Sequence, residues 1–101
     1  MKSKLNTTKN INLSNINNWK DAMALFDGYS MTLLDLYNIN NGLKPDNNNW
    51  GFILVVETLS KNDFRGFGCM AQVWTGTNKL YLGQFNGNPY ESGTFVWKLI
   101  N

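Results

Sequence analysis

Residues 50–59 read WGFILVVETL, and no other stretch restricts the fold so strongly. Aromatic and β-branched side chains favour an extended backbone. At a period of two, Trp50, Phe52, Leu54 and Val56 take one face and Ile53 and Val55 the other. Apolar residues on both faces predict a central strand covered on both sides, at least in part. Its neighbours follow from the same alternation. FGCMAQVW and KLYLGQF are joined by Thr75-Gly76-Thr77-Asn78, residues that tolerate the positive φ of a tight hairpin turn. YSMTLLDLY reads as an earlier strand. TFVWKLI sets Phe95, Trp97 and Leu99 against Val96, Lys98 and Ile100, the pattern of a strand with one dominant buried face. Chain ends fray unless they are tied down, so an end this apolar is expected to close the sheet, with no tail after it.

A helix is needed to cover that sheet. In NNWKDAMALFDGY, Trp19, Ala22, Met23 and Phe26 fall at i, i+3, i+4 and i+7, one face of a helix. Asn18 suits the N-cap, Asp21 the first turn, and Gly28 the residue that stops it. About two turns of helix are unstable alone, so this one must lie on an apolar surface. Residues 1–17 are polar and asparagine-rich without periodicity, and read as a flexible or attachment arm ahead of a single domain over 18–101. The connections NINNGLKPDNNN, SKNDFRG and NGNPYESG carry the Gly, Pro, Asn and Asp of turns. The expected class is α+β: a small antiparallel sheet of about four to five strands with one short N-terminal helix packed on it.

Composition closes off several functions. A net charge of +2 from nine basic residues spread along 101 does not make the dense patch that phosphate backbones require, so nucleic acid is not an expected partner. Histidine is absent, which removes the commonest general base and metal ligand. The single cysteine, Cys69, lies in an apolar strand and reads as a small buried hydrophobe. The N-terminus has two lysines but no apolar run after them, so no signal peptide is expected, and no stretch approaches a membrane span. The seven carboxylates, Asp21, Asp27, Asp35, Asp46, Glu57, Asp63 and Glu91, fall mostly in turns and caps. Only Glu57, ending the apolar strand, sits where its environment can perturb it. No paired acids, nucleophile elbow or calcium loop is present. Gly66-Phe67-Gly68 lacks the third glycine of a phosphate loop and reads as a bulge or a close approach. No enzyme, cofactor or metal is expected.

The aromatics remain: four Trp, four Tyr and six Phe. Trp19, Phe26, Phe52 and Trp97 stand at patterned positions and read as core. Trp50, Trp74, Tyr81, Phe85 and Tyr90 stand at strand ends or beside loops. There they either fill the rim of a small core or offer flat platforms to sugar rings or protein partners.

The order of these motifs is familiar. Gly28-Tyr29 opens the first strand, and a polar loop with a proline leads into Trp50-Gly51-Phe52-Ile53-Leu54-Val55-Val56. A hairpin arm reads Lys79-Leu80-Tyr81-Leu82-Gly83-Gln84-Phe85-Asn86-Gly87, and the last strand closes on Trp97-Lys98-Leu99-Ile100. Over roughly residues 16–101 the chain resembles the small knob domain of R-type pyocin tail fibres and bacteriophage receptor-binding proteins. It departs in a longer loop, Asn88-Pro89-Tyr90-Glu91-Ser92-Gly93, where the family usually carries an additional aromatic in a serine-rich context. The resemblance implies a non-enzymatic virion tail component, made in the bacterial cytoplasm and assembled as a homotrimer with other tail proteins. Its partner would be a host cell-surface glycan. It also implies that Trp97 and Leu99 lie under the helix. Sugars offer C–H faces for stacking and hydroxyls for amides, so the first candidate contacts are Tyr90 with Asn86, Asn88 and Glu91. Trp50 with Asn48 is the second. The alternative is a small free-standing phage-encoded protein that binds and inhibits a host protein inside the cell.

Overall fold

The computed structural model describes residues 2–7, 13–26, 29–57, 67–76, 78–87 and 93–101; for 2–7, 29 and 30 it describes the backbone. The elements are β1 (Lys2–Thr7), α1 (Trp19–Phe26), β2 (Tyr29–Asp35), β3 (Gly51–Glu57), β4 (Phe67–Val73), β5 (Lys79–Asn86) and β6 (Thr94–Leu99), with 3-10 turns at Leu36–Asn38 and Asn41–Leu43. The strands form one sheet in chain order. From β2 to β6 every pairing is antiparallel, with Leu33 opposite Leu54, Leu54 opposite Met70, Met70 opposite Leu82, and Leu82 opposite Lys98. The α+β class holds, a short helix lying on an antiparallel sheet.

The sheet has one strand more than expected. Lys2–Thr7 pairs parallel with β2 at the edge, and Leu13 is buried with Ile16 packed beside it. Residues 2–7, expected within a flexible or attachment arm, are therefore a strand of the sheet, and Leu13 belongs to the core. An edge strand is held by its backbone ladder and needs no apolar period, so KSKLNT gave no sign of it.

The core lies between α1 and one face of the sheet. Asn18 caps the helix as the sequence suggests: its side-chain oxygen accepts from the Asp21 backbone N–H at 2.9 Å, and its amide donates back to the Asp21 carboxylate at 3.0 Å. The expected stop, Gly28, is outside the described residues. Trp19 is the hub. It stacks on Phe95 at 4.6 Å and meets Phe67, Phe26 and Trp97 at tilted or edge-on angles. Its indole N–H donates to the Leu43 carbonyl at 3.0 Å, and the Trp97 indole donates to the same oxygen at 3.3 Å. Gly83 makes this packing possible, since a Cβ there would run into the rings of Phe95 and Trp97. Leu99, expected under the helix with Trp97, is half exposed instead.

Among the described residues, the inner face is the covered one. It carries Leu34, Ile53, Val55, Cys69, Ala71, Val73 and Tyr81, all buried. Burial pushes the Cys69 thiol well above its ordinary value, as suits a packing residue. The opposite face, with Met31, Leu33, Val56, Met70, Leu82 and Val96, is open to solvent. On β3 the outward Phe52 and Leu54 are half-buried and Val56 is exposed, so the strand is covered fully on one side and only in part on the other. One helix supplies one layer.

Candidate functional site

Among the described residues, the end of the sheet where β3 begins and β4 stops gathers the most exposed aromatic rings. Tyr37 is 65% exposed, Trp50 63% and Trp74 53%. Each is held by local chemistry. Asp35 ends β2 and caps the turn after it: one carboxylate oxygen accepts from the Tyr37 N–H at 3.1 Å, and the other accepts from the Asn38 amide at 3.3 Å. Tyr37 is thereby set 6.2 Å from the Trp50 ring. The Trp74 N–H donates to the Trp50 carbonyl at 2.9 Å, extending the β3–β4 ladder by one residue. The Trp74 indole then donates to Gln72 at 2.8 Å and leans on Phe52.

Gly51 makes the approach to Trp50 possible. Its φ is +134°, a region L-residues rarely adopt, and a Cβ there would overlap the Gln72 carbonyl. The loop leading into Trp50 is pinned from below. Asp46 accepts from the Asn48 backbone and side chain, both at 2.9 Å, and from the Tyr81 hydroxyl at 3.0 Å. Lys44 donates to the Asn49 side-chain oxygen at 2.6 Å. Burial raises the Asp46 carboxyl, but the Asn48 and Tyr81 hydrogen bonds and the charge of Lys79 outweigh it and hold the group below its ordinary 3.8. Tyr81 shifts up from 10.0, first by burial and then by the carboxylate it donates to. This pair is a strut between the loop and β5.

The sequence-derived candidates separate in space. Trp50 and Asn48 belong to this aromatic end. Asn86 ends β5 at the opposite end of the sheet, roughly 20 Å away along the strands. Its companions Tyr90, Asn88 and Glu91 lie outside the described residues. Beside Asn86, a groove of about 340 Å³ runs between Asn18–Lys20 and Phe85, Phe95 and Trp97, but those rings are half-buried parts of the core. Two other strand-end aromatics are likewise structural: Tyr81 is buried, and Phe85 packs on Phe67 and Phe95. Tyr37 was missed because YSMTLLDLY reads as a single strand. The Asp35–Asn38 stretch, an Asx turn by composition, was the signal that could have found it.

Among the described residues no group of three His, Cys, Asp or Glu could hold a metal ion, and no helix is long and apolar enough to cross a membrane. No family model matches the chain, and neither a curated protein nor a solved structure matches it significantly.

Proposed function

We propose that this chain is a non-enzymatic carbohydrate-recognition knob, displayed on a bacteriophage tail component, that binds a host cell-surface glycan through its aromatic end. One observation carries the reading: Tyr37, Trp50 and Trp74 stand mostly in solvent at one end of a sheet whose other described aromatic rings are largely packed inside. Rings held out in this way accept the C–H face of a pyranose, and Asn38, Asn48, Asn49 and Gln72 surround them with amides for hydroxyls. The hydrogen-bonded loop below Trp50 reduces the ordering that binding must otherwise supply. A single shallow platform of this kind binds weakly, so adhesion to a cell relies on several copies acting together.

The test uses the chain displayed in many copies on beads, applied to bacterial cells and to purified wall glycans. Trp50→Ala and Tyr37→Ala should each lower adsorption at least tenfold while the melting temperature stays nearly unchanged. Adsorption unaffected by both variants would remove the aromatic end from the site. Absence of binding to any wall glycan, with capture of a cytosolic bacterial protein instead, would replace the adhesive reading with the intracellular inhibitor.

A further inference from the structure

Beyond the end that carries Trp50, Gln72 and Trp74, the outer face of the sheet is not used by the glycan reading. Across it run two apolar rows. One is Leu33, Leu54, Met70 and Leu82, and the other is Met31, Val56, Gly68, Gln84 and Val96. Met31, Leu33, Val56, Met70, Leu82 and Val96 are each between 36% and 45% exposed. Together they present roughly 400 Å² of contiguous apolar surface, about as large as the largest patch on a typical monomer. At the middle of the face lies a shallow depression of about 290 Å³ over Gly68, walled by Leu54, Val56, Met70 and Leu82. A Cβ added at Gly68 would meet nothing within 4 Å.

We infer that this face is covered by the same face of a second copy of the chain, in a two-fold dimer that closes a β-sandwich between protomers. Area and charge support that occupant. With Leu80, Gln84 and Lys98 at its margins, the face approaches the roughly 800 Å² that one partner contributes to a standard interface. Its centre carries no charge, as the core of such a contact requires. Among the described residues its two charged groups stand on opposite flanks: Asp35 at the end of β2, and Lys98 on β6, paired with Leu82. A two-fold axis running along β4 lays β2 of each copy over β6 of the other. Asp35 lies in the Phe52–Gln72–Leu80 row and Lys98 two residues along, in the Leu54–Met70–Leu82 row, so each lysine reaches about 7 Å along the strands toward the Asp35 of the opposing chain. Aligned sheets pack about 10 Å apart at roughly −30°, a spacing that Leu and Met side chains fill. Met70 of each copy can turn into the depression over Gly68, since methionine adapts to irregular gaps. The same axis places the aromatic ends of both copies at one end of the pair, with Trp74 of each chain next to the axis and Tyr37 farther from it. The dimer itself does not depend on what those ends bind.

Sedimentation velocity and light scattering on the full chain test this. The unmodified protein should show twice the 11.5 kDa chain mass. Leu82→Lys should raise the dimer dissociation constant by on the order of 100-fold, with the folded circular dichroism spectrum kept. Gly68→Val, which fits the monomer's open space, should weaken the dimer by filling the depression. The decisive pair is K98E and D35K. Each alone sets like charges against one another at both flanks and should be monomeric, whereas an equimolar mixture restores two opposite-charge pairs and should form a one-to-one heterodimer. A melting curve for D35K checks that losing its cap on Tyr37 has not unfolded the chain. If D35K is unfolded, K98E compared with K98R decides the matter: the first should be monomeric and the second dimeric. A monomeric wild type, a trimer, or a dimer indifferent to Leu82→Lys would overturn the inference.

Discussion

The Leu43 carbonyl offers the sharpest test of how the core is held. Leu43 is fully buried, and its oxygen accepts from two indoles, Trp19 at 3.0 Å and Trp97 at 3.3 Å. Replacing either tryptophan with phenylalanine keeps a ring in the aromatic cluster but removes one N–H. Each single variant loses a hydrogen bond worth about 1 kcal/mol net and some buried ring area worth about 1–2 kcal/mol. In each the carbonyl still has its other donor. The double variant takes both away and strands a buried acceptor, which adds about 1–3 kcal/mol beyond the sum of the singles. The two rings also touch, at 5.9 Å. Loss of that contact would make the double less costly than the sum, but phenylalanine retains most of it. The net expectation is a superadditive penalty of about 1–2 kcal/mol, large against the roughly 5–15 kcal/mol of a typical domain. Urea melts of the four proteins, followed by circular dichroism and extrapolated linearly, measure it. Costs that add to within about 0.5 kcal/mol would show that the carbonyl does not depend on these two donors.

Two further outcomes follow from the loop beneath Trp50. Asp46 has a folded-state pKa below 3.8, so its contribution is complete above that value and is lost as pH falls through the lower folded one; Tyr81, raised above 10.0, contributes fully below 10.0 and loses its part as pH climbs through its higher folded value. Melting temperature against pH should therefore drop at both extremes, and Asp46→Asn should lower the plateau and flatten the acid limb; an unchanged acid limb would refute the strut. Gly51→Ala should cost at least about 1–3 kcal/mol from its positive φ alone and should also shift Trp50 fluorescence, whereas Gly68→Ala, facing open space, should be nearly silent.

The parts of the fold that could be read in advance are those whose period is enforced by burial. Trp19, Ala22, Met23 and Phe26 are all buried on α1, and the β3–β6 alternation matches the observed register. Where the backbone alone does the holding, nothing showed: β1 lies at an edge and leaves no apolar trace. The site was half legible. Trp50 stood out as a tryptophan amid asparagines, but Tyr37 depends on where β2 stops, and that is decided by the Asp35 carboxylate reaching forward two residues. The separation of Asn86 from Trp50 follows from hairpin direction. Residues at the end of β5 and at the start of β3 must lie at opposite ends of a sheet ordered in sequence, and sequence order alone did not establish that ordering.

The covering of β3 shows what a period of two does and does not determine. Alternation states which residues share a face; it does not state which face is covered. That depends on how much helix is available. Eight residues of α1 reach about 12 Å, while six strands span about 24 Å. This helix is short even for the face it does cover, and Trp19 extends its reach by bridging to Phe95 and Phe67. A strand apolar on both sides in such a chain must leave one side open, unless another chain supplies the missing layer. The alternation in WGFILVVETL thus carries information about assembly as well as fold. Its Ile53 and Val55 are buried within the protomer, whereas Leu54 is half-buried and Val56 exposed on the side where no described helix lies.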